Sequence, residues 1–335
     1  MLPIGKIPND ILKKVVFKYL GVENKKIIDG AHIAGDTAIV DFDSDKYLAI
    51  KTDPITGAIK NIGKHSIIIN SNDMAARGAI PKYFLATILL PPKSTVDDLE
   101  TICKDMNEAA IEYNISIIGG HSEVSPTVNN PVVVGLMIGE INRDNLLLAK
   151  NIEVGDKIIL IKSVGIEGCS IIGHDHYKLI NNSFSEKIIF EAKNLINEIS
   201  ILKESLLIRK MKGIKFMHDP TEGGLIGGLI EICDLINKGF TIYEKEIIIY
   251  NCVRIICKRL KINPLRLLSS GALIVICNPE NSKEIINKIN KSGIEAKDIG
   301  EITVSSNNLV LKNGNIQELG NNIYEELWLL DTEKI

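Results

Sequence analysis

The sequence has no Cys-x-x-Cys pair. Its six cysteines stand at 103, 169, 233, 252, 257 and 277, which argues against a structural zinc site. Cys252 and Cys257, five apart, read as core residues. There is no GxxxxGK[ST] loop, and no GxGxxG follows a strand, so two familiar phosphate-binding loops are missing. No apolar run approaches the length of a membrane span. Met1–Asp10 holds Pro3, Gly5 and Pro8 and lacks the apolar core of a signal peptide. The expectation is a cytoplasmic protein with reduced thiols and no membrane partner. A long basic run is absent and the formal net charge is −3, which argues against a nucleic-acid partner. A phosphate ligand could still be held through metal ions and backbone amides. Aromatic residues make up only 5%, so Ile, Leu and Val must fill the core.

What is present suffices for a globular protein. The 335 residues are 45% apolar and 24% charged, enough for two domains of ordinary size. Asn9 or Asp10 caps a helix carrying Ile11, Leu12, Val15, Val16, Tyr19 and Leu20 on one face, ended by Gly21. Strands are predicted at Thr37–Phe42, Tyr47–Lys51, Tyr83–Leu90 and Val132–Glu140, with a buried strand at Ile115–Ile118 broken by Gly119 and Gly120. Helices are predicted at Gly63–Arg77 and Thr95–Tyr113. The polar stretch Asn142–Gly155 marks a boundary, giving domains 1–148 and 149–335. The second half reads as helices at Ile166–Gly173, Ser185–Leu206, Leu225–Leu235 and Ser282–Lys291. Its strands fall near Phe240–Ile248 and Ala272–Cys277, and a closing hairpin spans Leu309 to Ile316. Both halves mix strands and helices, which predicts two packed α+β domains.

Four short loops interrupt the apolar segments: AGDTAIV with Gly35 and Asp36, KTDPITG with Thr52 and Asp53, NSNDMAARGA with Asn72 and Asp73, and IIGGHSEV with Gly119, Gly120 and His121. Carboxylates brought to one point repel each other unless cations are present. Mg²⁺ favours hard oxygen ligands, with phosphate oxygens completing its shell. Taken singly, each acid is equally a turn former or helix cap. A fifth segment, MHDPTEGG, offers Asp219, Thr221, Gly223 and Gly224. Thr221 before the glycines and the next helix reads as a cap, and the same geometry would aim free N–H groups at an anion. His174, Asp175 and His176 read as a solvated loop rather than a metal cluster, and His218 is ambiguous.

The order GDxA, TD, NxxDxxxxGAxP, GGH and DPTxGG resembles the AIR synthase (PurM-like) superfamily over nearly the whole chain. IGKHSIIINSNDMAARGAIPKYFLATILLP is its most specific piece. The resemblance implies a two-domain PurM/HypE-like fold, with the first domain forming a barrel-like interface in a homodimer. It implies an ATP and Mg²⁺ site in which Asp36, Asp53 and Asp73 ligate the metal and Asn72 supports that shell. Gly119 and Gly120 would lie against the nucleotide. Gly35, Thr52, Thr221, Gly223 and Gly224 are the further candidates for contacting it. Asp219 and His121 are the catalytic candidates. His121 stands where many relatives have an acid, and as a neutral imidazole it is a poor Mg²⁺ ligand. It could act as an acid or base, contact a phosphate when protonated, or simply bond loop backbone.

HDPTEGGLIGGLIEI is similar to the DPTRGG-plus-helix of the hydrogenase maturation (HypE-like) branch, and differs from the D-x-SDGL of the kinase branch. The selenophosphate branch uses an N-terminal reactive Cys, and none is present here. The resemblance implies phosphoryl transfer to a carbonyl or amide-type oxygen, ending in dehydration or cyclisation, with a possible hydrogenase maturation partner. The HypE-like branch carries its acceptor on a C-terminal cysteine. This chain ends YEELWLLDTEKI and its last cysteine is Cys277, so the expected acceptor is a small molecule or a group on a partner protein. AIR synthase activity, thiamine-phosphate kinase activity and a non-catalytic nucleotide-binding scaffold remain alternatives.

Overall fold

Alternating burial along the strands builds the first layer. The computed structural model describes residues 7–17, 20, 24–181, 183–304, 308–312, 315–320 and 322–330. A short helix α1 (Asn9–Ile11) runs into a π-helical turn, Leu12–Val16; of the predicted continuation, Tyr19 and Gly21 fall outside the described residues and Leu20 is not helical. The first sheet comprises β1 (Ile27–Asp29), β2 (Ala38–Asp41), β3 (Lys46–Ile55), β4 (Ile80–Leu90), β5 (Ser116–Val124) and β6 (Val132–Asn142). Their order is β1-β2-β3-β6-β4-β5, and only the β4–β5 pair is parallel.

One face of that sheet is covered. Ala49 and Ile55 on β3, Phe84, Ala86 and Ile88 on β4, and Val133, Met137 and Ile141 on β6 are buried, as a period of two requires. They pack beneath α2 (Ile62–Ala76), of which every residue but Lys64 is buried, and α3 (Val96–Glu112). Thr95 and Asp98 close a capping box at the start of α3. Gly63 lets the two helices touch: a Cβ there would stand 2.2 Å from the Ile102 carbonyl oxygen. The opposite face carries Leu48, Ile50, Leu85, Leu89, Val132, Val134, Leu136 and Ile138, all half-buried.

The second sheet holds β7 (Lys157–Ile161), β8 (Ile214–His218), β9 (Gly239–Tyr243), β10 (Leu273–Cys277), β11 (Ala296–Thr303), β12 (Asn308–Lys312) and β13 (Asn315–Leu319). Its order is β13-β12-β9-β11-β7-β10-β8. Around it lie α4 (Ile166–Asp175), α5 (Tyr177–Ile180), α6 (Glu186–Asn194), α7 (Leu202–Ile208), α8 (Gly224–Ile236), α9 (Asn251–Leu260) and α10 (Pro279–Asn290). Among the described residues no helix is long and apolar enough to cross a membrane.

Several predicted elements change. β3 extends to Ile55, so Thr52 and Asp53 are strand residues and not a loop. β5 continues through Gly119 and Gly120 after a register shift at Ile118 and is exposed along its whole length; both glycines have positive φ, 156° and 152°, a backbone that other residues rarely adopt. At Gly120 a Cβ would meet the Ala86 carbonyl oxygen at 2.1 Å, so close strand approach is what the glycine permits. The helix predicted over Ser185–Leu206 breaks between α6 and α7. There the backbone turns to accept tertiary partners: Lys162 Nζ donates to the carbonyls of Glu198 and Ser200, at 2.7 and 2.6 Å. β8, β11 and α9 have no counterpart in the sequence reading. The closing hairpin is β12 and β13; the predicted turn residues Asn313 and Gly314 lie outside the described residues.

Candidate active site: a carboxylate cleft between the two domains

The alternation of β3 puts Lys51 and Asp53 on the covered face, toward α2. Gly135 lies opposite Asp53, and a Cβ there would come within 2.3 Å of Asn70 Nδ2. Its absence lets α2 settle onto the sheet, where Asn70 donates to the Asp53 and Ser66 carbonyls at 3.3 and 2.9 Å. Asp73, three residues further along α2, therefore reaches the same place. Thr37 Oγ1 donates to the Asp73 carbonyl at 3.1 Å, fixing the segment that carries Asp36 against the end of α2. From the second domain, β8 delivers His218 and then Asp219. The result is a cleft of about 550 Å³ lined by Asp36, Lys51, Asp53, Asp73, His218, Asp219 and Thr221, among others.

Electrostatics organises the cleft. Lys51 Nζ lies 3.3 Å from Asp73 and 3.7 Å from Asp53. Burial by itself would lower its pKa; the charges of Asp73, Asp53, Asp36 and Asp219 outweigh that and raise it. Asp73 is pushed well above the ordinary carboxylate range, first by burial and then by its acidic neighbours, against the pull of Lys51. His218 is buried between two carboxylates: Nδ1 is 2.9 Å from Asp36 Oδ2 and Nε2 is 3.2 Å from Glu231 Oε2. Burial would lower its pKa, yet the two acids raise it to about 10. It is an imidazolium and ties the two domains together. Asp219 is 1% exposed, and neither carboxylate oxygen has a hydrogen-bond partner. Burial, then repulsion from Asp36, raises it to about 7.

These donors suit a hard cation. Ligand atoms of Asp36, His218 and Asp219 lie within 4.8 Å of one another. Both nitrogens of His218 already face carboxylates, so carboxylate oxygens are what remains for a metal, and Mg²⁺ prefers oxygen. The two unpartnered oxygens of Asp219 are an expensive arrangement that a bound cation would relieve.

Of the sequence candidates, Asp36, Asp53, Asp73, Asp219 and Thr221 line this cleft. Gly35 lies in the tight turn before Asp36, its N–H bonded to the His32 carbonyl at 3.1 Å. Several other candidates have different places. Asn72 does not turn toward the carboxylates: its amide donates to the Ile199 carbonyl at 2.8 Å and accepts from Ile201 N–H at 2.9 Å, binding the second domain instead. Thr52 points to the other sheet face and donates to the Gly135 carbonyl at 2.8 Å. His121 pairs with Thr87, on that same face. It is 63% exposed, 3.1 Å from Glu123, and three strands removed from Asp53. Gly119 and Gly120 share its edge strand. Thr221 is not the side-chain cap of α8; Gly223 occupies that position at φ +80°. The Gly223 N–H is answered from inside the chain by Glu325 Oε2 at 2.8 Å, and Gly224 packs against the Leu265 and Leu267 carbonyls. Asp175 accepts from the N–H groups of Ile59 and Lys60 at 2.8 and 3.0 Å, and His174 contacts the Lys193 carbonyl; the pair serves loop anchoring.

Sequence reasoning missed Lys51, Glu231 and Glu167. Lys51 carried a signal, because a residue two before Asp53 on a strand shares its face. Glu231 lies thirteen residues after His218, and only the packing of α8 on β8 joins them.

Comparison with known proteins agrees with this architecture. The AIR synthase related protein N-terminal domain matches residues 34–141 and the corresponding C-terminal domain matches residues 153–312. A putative hydrogenase expression/formation protein of Methanocaldococcus jannaschii is 27% identical over 92% of this chain and 91% of its own. The carbamoyl dehydratase HypE of Bradyrhizobium diazoefficiens is 29% identical over 75% of this chain and 71% of its own. Among solved structures, a HypE–HypF complex superposes with TM-score 0.76 at 22% identity, covering 92% of this chain and 99% of that one. A hydrogenase maturation protein HypE in complex with ATP gives 0.72 at 22% identity, covering 97% of each. With two family domains matched in order over most of its length, and the two-sheet fold of its structural neighbours, the chain belongs to the AIR synthase related family.

Proposed function

We propose that the protein is an ATP-dependent, HypE-like enzyme that activates a carbonyl or amide-type oxygen by phosphoryl transfer, for dehydration or cyclisation, in hydrogenase maturation. The observation that carries this reading is the convergence of Asp36, Asp53, Asp73 and Asp219 from both domains onto one cleft. Structural order alone does not call for four carboxylates there. Asp36 and Asp219, with Asp53 and Asp73, would hold Mg²⁺, which when bound neutralises phosphate charge during transfer. Lys51 holds Asp53 and Asp73 in place and adds a positive charge facing the phosphates. His218 orients Asp36 through its 2.9 Å contact. Burial of Asp36, Asp73 and Asp219 strengthens the electrostatic interactions they make. Cys277 is fully buried in β10, out of reach of the cleft, and the acceptor in this reading is a small molecule or a group on a maturation partner. A relative crystallised with HypF supports such a partner.

The apolar, half-buried face of the first sheet supports a homodimer in which two such sheets close on each other. All six cysteines are unpaired, in keeping with a cytoplasmic location. The domain boundary is placed near residue 148, between β6 and β7. Calorimetry with ATP, with and without Mg²⁺, tests the central reading. Wild-type protein should bind ATP only with Mg²⁺, and Asp219→Asn should weaken binding by about tenfold or more. Wild type that binds no ATP under either condition would sink the proposal.

A further inference from the structure

One stretch of the cleft is not used by the aspartate cluster. Along α2, His65, Ile69 and Asp73 follow one another at four-residue spacing and so share a face. At 1.5 Å per residue, His65 stands about 12 Å from Asp73 along the helix. Opposite His65, α4 contributes Glu167, with Oε1 3.4 Å from His65 Nδ1. The two are 5% and 2% exposed. His65 Nδ1 has no hydrogen-bond partner, so this approach is close without being a formed bond. Glu167 lines the cleft together with Ile69, Leu268, Ser270 and Trp328. Ser270 is 0% exposed and its Oγ has no partner. Trp328 packs near Gly57.

A buried carboxylate is costly unless something pairs with it. Ile69, Leu268 and Trp328 line the same cleft, as does Ser270, whose Oγ has no partner. A carboxylate and an indole ring both favour a cation, and a hydroxyl oxygen can accept one of its N–H donors. We infer that this end of the cleft is the acceptor subsite, and that it recognises a small primary ammonium group through Glu167, Ser270 and Trp328, with His65 positioning Glu167. The inference rests on the proposed function in one respect: the ATP phosphates are taken to occupy the aspartate end.

The test exploits the single tryptophan of the sequence. Benzylamine and benzyl alcohol, a cation and a neutral molecule of matching shape, are titrated into the full chain while Trp328 fluorescence is followed. Benzylamine should give a saturable change, with Kd roughly 1 mM for so small a ligand. It should bind about tenfold tighter than the alcohol. Glu167→Gln should remove that preference, with thermal melting used to confirm folding. Ser270→Val, which fills the subsite from the other wall, should abolish benzylamine binding and leave Mg²⁺-dependent ATP binding unchanged. Equal response to both compounds in wild type, no saturable response, or a preference that survives in Glu167→Gln overturns the inference. Measurements on wild type separate the two readings: no ammonium selectivity with intact ATP binding refutes only the subsite, and ammonium selectivity without ATP binding refutes only the nucleotide site.

Discussion

His218 illustrates how a single side chain can hold a site together. Its imidazolium lies between Asp36 and Glu231 and links a loop of the first domain to two elements of the second. Removing it takes the imidazolium away from between two buried carboxylates. His218→Ala should therefore destabilise the protein by about 3–5 kcal/mol, read as a lowered thermal midpoint. Glu325 makes a different prediction. Its carboxylate accepts N–H bonds from Gly223, Leu268 and Leu327, which favour the charged form, but burial outweighs them and raises its pKa to about 7. The native state then binds more protons than the unfolded state between about pH 4.5 and pH 7. The contribution of Glu325 is full below that window and is lost as pH rises through it. Relative to Glu325→Gln, wild type should lose about 3 kcal/mol across the window; parallel curves would disprove the assignment.

Among the elements, α2 does most to connect fold and site. Its buried polar residues are not spread at random. Ser66 and Ser71 bond back to helix carbonyls, Asn70 grips β3, Asn72 grips the 199–201 segment, and Asp73 faces the cleft. Asn72→Ala would leave the Ile201 N–H and the Ile199 carbonyl buried without partners. It should cost about 1–3 kcal/mol while leaving the carboxylates in place, so Mg²⁺-dependent ATP affinity should change little once the protein is folded. A loss of ATP affinity as large as that of Asp219→Asn would return Asn72 to the metal shell. β5 is the opposite case, an edge strand covered on neither face, with Ile117 and Ile118 41% and 54% exposed.

At the scale of the whole molecule, the two domains meet at the cleft, and the first sheet keeps an apolar face that the described residues leave half-buried. Patches of that kind mark association surfaces. In the homodimer reading, wild type sediments at twice the chain's 36.9 kDa, and Leu136→Glu, placed centrally on the face, converts it to a monomer. Wild type sedimenting as a monomer at micromolar concentration would remove that reading. His121 sits on the same face, so its distance from Asp53 within one chain does not bear on what a second copy would place beside it.

Local chemistry was enough to read much of the molecule. Gly78 ends α2 at φ +76°, Pro91 follows β4, and Thr95 with Asp98 starts α3. Each depends on backbone geometry a few residues long. The aspartates of GDxA, TD and ND were legible as well, because spacing and order carried a family resemblance. Long-range pairing was not legible. Lys51, Asp36, His218 and Glu231 become one charged network only when β3, α2, β8 and α8 pack, and residues up to 195 positions apart have no local signal to announce it. The same holds for β5, whose glycines resemble a turn in isolation but are held in the strand by the parallel pairing with β4. It also holds for the break between α6 and α7, where helix propensity yields to hydrogen bonds from Lys162 and Asn72. Nearest-neighbour preferences are written along the chain; burial, which sets the strength of every charge in this cleft, arises from packing.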